Sequence, residues 1–137
     1  MTPFVLDTSV AIAWYLPETF SASARSWQAR FVRGDVGFVV PPLHYLEFGN
    51  VLRTYVRRKE LSEAAAREMH ALHLDAPLEV AEPRRADVFD VALQFDATVY
   101  DAVYIALARE RRAPLLTAER RSTPWVRRLG TLVQLVS

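Results

Sequence analysis

The sequence predicts an α/β fold, in the form of a three-layer α/β/α domain with a mainly parallel central sheet. Short apolar runs of strand length alternate along the chain with longer stretches of helical character, as in repeated βα units. One late helical stretch, "VYDAVYIALA", is apolar nearly all round, which is typical of a helix buried against a sheet. The 137 residues, 51% of them hydrophobic, suit one domain, spanning 1–137, with a single substantial core.

The first half of the chain predicts two strands, each followed by two helices. In order, these are a strand over 3–7, helices over 8–16 and 19–33, a strand over 36–40, and helices over 43–59 and 62–74. Asp7 or Thr8 can cap the first helix, and Pro17 ends it. Pro41–Pro42 ends the second strand, and Ser62 is a favourable N-cap for the last of these helices.

The second half continues the alternation with shorter strands. The expected elements are a strand over 77–82, helices over 84–95 and 99–112, and strands over 113–118 and 132–137. The chain shows no repeat, low-complexity tract or linker. These features favour one parallel sheet flanked by helices.

Composition excludes several classes of protein. There is no cysteine, so disulfides and thiolate metal sites are impossible. The N-terminus lacks the charged region of a signal peptide, and no apolar run approaches the roughly 18 residues of a membrane span. We therefore expect a cytoplasmic protein.

The positive charge is concentrated in two segments, although the net charge is only +1. All but one of the 17 basic residues are arginine, and they cluster in 53–59 and in 109–128. The planar guanidinium group suits phosphate binding. The clusters are consistent with a nucleic-acid binder and equally with solvated helix faces that reflect codon bias.

Three acids are expected at one edge of the sheet. Asp7 ends the first strand, Glu119 follows a late strand, and Asp101 opens the buried helix that precedes that strand. Sites in parallel sheets form outside the carboxyl ends of the strands, so these side chains could converge.

Each acid also has a purely structural interpretation. Asp7 could cap a helix, and Thr98 with Asp101 resembles a capping box. Glu119 could be a first-turn acid paired with the following arginines. Glu47 shares a helix face with Asn50 and could be a functional acid or a partly exposed structural one.

The other motifs that carry chemistry are weak. His44, His70 and His73 do not form a convincing metal set, and we expect the last two at the surface or at an interface. The chain has no glycine-rich phosphate loop and no G-x-S-x-G motif.

Several carboxylates in one cleft point to metal-dependent chemistry. They repel one another unless a cation neutralises them, and oxygen-only ligands suit Mg²⁺ or Mn²⁺. Such an ion can activate water and polarise a phosphoryl oxygen, while nearby arginines hold the polyanion. The combination suits hydrolysis of a phosphodiester.

Four segments, in order, resemble the PIN-domain ribonucleases, most closely the VapC-type toxins of prokaryotic toxin–antitoxin pairs. The segments are "FVLDTSVAIAWYLPE", "PPLHYLEFGNVL", "YDAVYIALA" and "APLLTAERR". By this resemblance Asp7, Glu47 and Asp101 match the first three family acids, and Glu119 falls where the family usually has Asp. The polar positions that support the acids match Thr8, Ser9, Asn50 and Thr117, whereas Asp96 matches no core position and is expected to be a loop or cap residue.

The resemblance implies a magnesium-dependent endoribonuclease that cleaves RNA. Asp7 and Asp101 would be the direct metal ligands, and Glu47 and Glu119 would act through water or activate the attacking water. It also implies a homodimer and a cognate antitoxin whose C-terminal segment blocks the cleft. Two alternatives are a non-catalytic nucleic-acid-binding or interaction module, and an Asp-nucleophile phosphatase, which would want a second Asp where Ser9 stands.

Overall fold

A computed structural model describes all residues, 1–137, and shows the predicted three-layer α/β/α architecture. Its centre is one five-stranded sheet in the order β3-β2-β1-β4-β5. All neighbouring strands pair in parallel. The strands are β1 (Thr2–Leu6), β2 (Val36–Val40), β3 (Glu79–Val80), β4 (Leu115–Thr117) and β5 (Val133–Leu135).

Seven helices connect the strands and cover both faces of the sheet. They are α1 (Thr8–Ile12), α2 (Ser21–Val32), α3 (Leu43–Arg57), α4 (Glu63–Asp75), α5 (Arg85–Phe95), α6 (Val99–Arg111) and α7 (Pro124–Leu129), with a 3-10 turn at Gly130–Leu132 before β5. No single helix is long and apolar enough to span a membrane, and the bent pair α5–α6, with 108° between its members, meets that test only by combined length and composition.

The alternation of side chains along β1 divides the core into two layers. Phe4 and Leu6 pack on one side of the sheet with residues of α1 to α4. Val5 points to the other side and packs with α5, α6 and α7. Because side chains of a strand alternate between faces, a strand covered on both faces is apolar throughout, and this explains the continuous run that predicted β1.

Several predicted elements are shorter in the structure. The helix expected over 8–16 ends at Ile12, and the chain then turns so that buried Trp14 donates its indole N–H to the Ala24 carbonyl. The strand expected over 77–82 is reduced to β3, an edge strand that pairs only with β2. The strands expected over 113–118 and 132–137 are likewise reduced to their central residues. These differences arise where tertiary packing overrides local pattern.

The predicted caps are partly confirmed. The Ser62 hydroxyl accepts from the Ala65 amide at the start of α4. Thr98 does the same for Asp101 at the start of α6, with an N–O distance of 3.0 Å. Asp96 ends α5 in the left-handed conformation, with φ 52°, which fits its expected role as a cap.

Candidate active site

The carboxyl ends of β1 and β4 meet at the side chain of Asp7. Asp7 directly follows β1, and Thr117 is the last residue of the neighbouring strand β4. Two hydroxyls donate to the same carboxylate oxygen, Asp7 Oδ2: Ser9 Oγ at 2.8 Å and Thr117 Oγ1 at 2.7 Å. Asp7 occupies the N-cap position of α1, as one interpretation of the sequence predicted, but its side chain makes no capping hydrogen bond, so capping does not account for the carboxylate.

The electrostatics of Asp7 show that a second acid lies nearby. Burial is the main effect that raises the pKa of Asp7 above its ordinary value, and the charge of Glu47 raises it further. The hydrogen bonds from Thr117 and Ser9 lower the pKa in part. Asp7 is therefore a carboxylate in an environment that disfavours its charge.

Glu47, on α3, is held by hydroxyls from two other elements. Its Oε1 accepts from the Tyr104 hydroxyl at 2.6 Å and from Thr8 Oγ1 at 3.2 Å. The two hydroxyls are themselves 2.9 Å apart. Asn50, which shares the helix face, is exposed and makes no hydrogen bond to this carboxylate. The structure thus favours a built site around Glu47 over an incidental surface position.

Asp101 lies in the first turn of α6, close enough to two other acids for their charges to act on it. Burial raises its pKa, and the charges of Asp7 and Glu119 raise it further. The side chains of Thr98 and Trp125 offset part of this rise. The hydrogen bond from the Asp101 amide to the Thr98 hydroxyl is one half of the predicted capping box. No hydrogen bond from the Thr98 amide to the Asp101 carboxylate completes it, so capping does not account for that carboxylate.

Glu119 lies in the exposed loop after β4 and not in the first turn of a helix. Its Oε1 accepts from the Arg120 amide and from the Thr123 hydroxyl, both at 3.1 Å. It makes no ion pair with Arg120 or Arg121, so the simple pairing considered from sequence is absent. The side chain remains close enough to Asp101 to raise that residue's pKa.

The charges of neighbouring acids affect one another, but the four side chains do not form a complete metal-binding site. No group of three or more His, Asp or Glu side chains is close enough to hold a metal ion as it stands. The donors are all oxygen, and the raised pKa values of Asp7 and Asp101 are those of carboxylates in need of a counter-charge. The residues fit a hard divalent cation in chemistry, and the direct-ligand roles of Asp7 and Asp101 stay predictions.

The sequence-based interpretation missed a buried polar group beside Glu47. His44 and His73 are fully buried, and their Nε2 atoms are 2.8 Å apart. The expectation that His73 lies at the surface is therefore wrong: its ring stacks on Phe48, with centroids 4.1 Å apart, and its Nδ1 lies 3.1 Å from the Tyr15 hydroxyl. His70, by contrast, is only partly buried.

A local signal for part of this group was available. His44 and Glu47 are three residues apart on α3, as are Asp101 and Tyr104 on α6, and this spacing places each pair on one helix face. Nothing local marks His73, because its partners come from distant parts of the chain.

Comparison with known proteins agrees with this geometry. A family model described as the PIN domain matches residues 4–124, a range that includes all four acids. The chain belongs to the PIN-domain family. A relative of this PIN domain, Ribonuclease VapC3 of Pyrobaculum aerophilum, is 34% identical and covers 85% of this chain and 88% of its own length.

Solved structures share the fold of this PIN domain at low sequence identity. PAE2754 from Pyrobaculum aerophilum has a TM-score of 0.71 and 21% identity, covering 97% of this chain and 81% of its own. VapBC2 from Rickettsia felis, bound to a DNA fragment from the promoter, has a TM-score of 0.70 and 10% identity, covering 99% and 100%. These two likenesses concern the fold.

Proposed function

We propose that this PIN domain is a metal-dependent endoribonuclease that hydrolyses RNA phosphodiester bonds as the toxin of a type II toxin–antitoxin pair in the cytoplasm. The single observation that carries the proposal is that Glu47 Oε1 accepts from Thr8, the residue after Asp7, and from Tyr104, one helical turn after Asp101, which brings these three acids to one place. Asp7 is affected by the charge of Glu47, and Asp101 by those of both Asp7 and Glu119. Membership of the family and the relative named Ribonuclease VapC3 support RNA as the substrate.

Asp7 and Asp101 would hold Mg²⁺ or Mn²⁺ at this site. When bound, such an ion supplies a nucleophilic water and polarises a phosphoryl oxygen. The hydroxyls of Ser9 and Thr117 both bind Asp7 Oδ2 and so fix the orientation of that carboxylate. Because burial raises the pKa of both Asp7 and Asp101, a bound cation would offset the unfavourable charge of these carboxylates.

Glu47 and Glu119 would hold the ion through water or activate the attacking water. Glu47 is held by Tyr104 and Thr8, so its carboxylate has a defined direction. Glu119 is attached to the turn that leads into α7 through Thr123. Its side chain is one methylene longer than the Asp usual in the family, so its reach toward a bound ion differs from that of the family residue.

Arginines beside Glu119 would hold the RNA. Arg120 and Arg121 line a surface groove of about 400 Å³ together with Phe20 and Glu119. Other arginines of the same cluster are engaged elsewhere, Arg111 with Glu79 and Arg128 with the Gln94 carbonyl. Guanidinium groups without an acidic partner are suited to phosphate contacts.

We also propose the two protein partners implied by the family, a cognate antitoxin and a second copy of this chain. Neighbouring side chains of α5 and α6 are large, apolar and exposed, as in an interface. These are Phe89, Leu93, Val99 and Tyr100. Replacing Phe89 and Leu93 by Ser is expected to convert a dimer to a monomer in sedimentation velocity, and a wild-type monomer at high concentration would contradict the dimer.

Incubation of the purified protein with total RNA tests the proposed activity. We expect cleavage with Mg²⁺ or Mn²⁺, none with chelator, and none from Asp101→Asn. Asp96→Asn is the matched control, because Asn tolerates the left-handed backbone of Asp96 and that residue lies outside the site. Full activity of Asp101→Asn, or cleavage in chelator, would contradict the proposal. Binding of RNA without cleavage would indicate the non-catalytic module instead.

A further inference from the structure

A run of hydrogen bonds leads from Tyr15, in the turn after α1, through His73 on α4 to the carboxylate of Glu47. The Tyr15 hydroxyl lies 3.1 Å from His73 Nδ1, and His73 Nε2 lies 2.8 Å from His44 Nε2. His44 Nδ1 lies 3.3 Å from Thr8 Oγ1, which in turn donates to Glu47 Oε1. We name Tyr15, His73, His44 and Thr8 the hydroxyl–imidazole chain.

We propose that the hydroxyl–imidazole chain positions the carboxylate of Glu47, and that each of its hydrogen bonds is donated in the direction of that carboxylate. Its members act through Glu47 and touch neither RNA nor metal. The inference rests on the proposed function only in that Glu47 is there one of the acting carboxylates.

Only one of the two facing Nε2 atoms of His44 and His73 carries a proton. Burial lowers the pKa of His44 to about 3 and that of His73 to about 4, so both rings are neutral near pH 7. A neutral imidazole has one N–H and one lone pair. The short contact between the Nε2 atoms therefore needs one ring to donate and the other to accept, and the order of protons runs either toward Glu47 or toward Tyr15.

The charge on Glu47 decides between these directions. In the order toward Glu47, Tyr15 donates to His73, His73 Nε2–H donates to His44, and His44 Nδ1–H donates to Thr8. The hydroxyl proton of Thr8 is then left for the carboxylate. In the reverse order His44 Nδ1 needs a proton from Thr8 or Tyr104, and Glu47 loses a donor.

Hydrogen bonds to an ionised acceptor are roughly twice as strong as neutral ones, so the order that keeps both donors on Glu47 is favoured. Burial also raises the pKa of Tyr15 to about 12, so its hydroxyl keeps the proton that it donates. Aligned donors in a dry interior reinforce one another.

The positions of these residues explain why the order matters for the site. Each of the three groups nearest to Glu47 is close in sequence to one of the proposed catalytic acids, either as the next residue or one helical turn away. The pairs are Thr8 with Asp7, His44 with Glu47, and Tyr104 with Asp101. The hydroxyl–imidazole chain and Tyr104 therefore hold Glu47 against both elements that carry the proposed metal ligands.

Imidazole nitrogen NMR of the full protein at neutral pH, without metal or RNA, tests the proton order directly. The chain has 3 His, so the spectrum is simple, and His70→Gln assigns the third ring. We expect the proton of His44 on Nδ1 and that of His73 on Nε2. Protons on His44 Nε2 and His73 Nδ1 would overturn the proposal.

A pair of matched variants tests whether Glu47 sets this order. Glu47→Gln removes the charge at the end of the hydroxyl–imidazole chain and is expected to shift the ring nitrogen signals of His44 and His73. Glu119→Gln removes an equal charge from the same site, but no member of the hydroxyl–imidazole chain touches it, so we expect no shift. Equal shifts in both variants, or none in either, would overturn the proposal.

The rate of RNA cleavage tests whether the hydroxyl–imidazole chain affects the action of Glu47. Tyr15→Phe removes the outermost donor, and we expect kcat to fall about three- to tenfold with KM unchanged, as for loss of one orienting hydrogen bond. Tyr45→Phe is the control, since its ring lies 5.9 Å from that of His73 but its hydroxyl bonds to nothing in the hydroxyl–imidazole chain. Equal kcat values would refute positioning. An inactive wild type would refute the proposed function and leave the NMR result to stand by itself.

Discussion

The Thr117 hydroxyl donates a 2.7 Å hydrogen bond to Asp7 Oδ2, which joins residues 110 positions apart at the ends of adjacent strands. Thr117 is fully buried, so water cannot replace it as a donor. Asp7 is partly buried, and this bond is the largest effect opposing the rise in its pKa. The bond therefore keeps Asp7 closer to the ionised form that a metal ligand requires.

Thr117→Val should raise the pKa of Asp7 further, because it removes the donor while keeping the shape of the side chain. We expect cleavage at neutral pH to fall about tenfold, the value of one charge-assisted hydrogen bond. The acid limb of the pH–rate profile should also move to higher pH. Thr117→Ser retains the hydroxyl and should behave like the wild type; an unchanged profile for the Val variant would argue against this role.

Asp101→Asn should increase stability in the absence of metal while abolishing cleavage. The folded-state pKa of Asp101 lies above its ordinary value, so near pH 7 its charge destabilises the folded protein. Neutralising the side chain removes that penalty, and sites of this kind commonly trade stability for activity. A higher Tm than the wild type in chelator is the expected result.

Addition of Mg²⁺ should then raise the Tm of the wild type but not that of Asp101→Asn. Asp96→Asn, away from the site, should respond to Mg²⁺ like the wild type. A variant that is less stable than the wild type in chelator would contradict the electrostatic argument.

The His44–His73 pair should make the protein sensitive to acid. Both pKa values are lowered, to about 3 and about 4, whereas an unfolded histidine titrates near 6.5. The unfolded chain therefore binds more protons below about pH 6.5, and the stabilisation present above that pH is lost as the pH falls. Each ring contributes about 1.4 kcal/mol per pH unit, so together they cost about 4 kcal/mol at pH 5 relative to neutral pH.

Urea unfolding at pH 7 and at pH 5 measures this loss. Asp7 and Asp101, whose pKa values are raised, act in the opposite direction and reduce the observed slope. His73→Gln should flatten the dependence, whereas His70→Gln, at a partly exposed position, should not. Identical slopes for the two variants would show that the buried pair is not the cause.

Arg120→Ala combined with Arg121→Ala should weaken RNA binding without changing the fold. Each lost phosphate contact is expected to reduce the slope of log K against log salt by about one. Arg33→Ala is a suitable control, because Arg33 is exposed and paired with Asp35. Both residues precede β2 and so lie at the amino ends of the strands, away from the carboxyl ends that carry the acids. Equal salt slopes for the double variant and the control would place the RNA elsewhere.

Local sequence determined the architecture and the position of most acids. The continuous apolar run of β1 and the nearly all-round apolar surface of α6 are visible in the local sequence. Such patterns predict a buried strand and a buried helix without knowledge of the residues that pack against them. The caps at Ser62 and Thr98 are set within one helical turn, so they could be predicted as well. A parallel sheet also requires that the residues after β1 and β4 share one edge.

Only the tertiary structure decided what surrounds those acids. The partners of Glu47 are Thr8 and Tyr104, 39 and 57 residues away, and the helical neighbour Asn50 is not among them. His73 is hydrogen-bonded to Tyr15, 58 residues distant, a contact that no periodicity reveals. A hydrogen bond depends on distance and angle to a specific atom, so it is settled only when packing brings separate elements together, whereas hydrophobic patterning needs only the average environment of each residue.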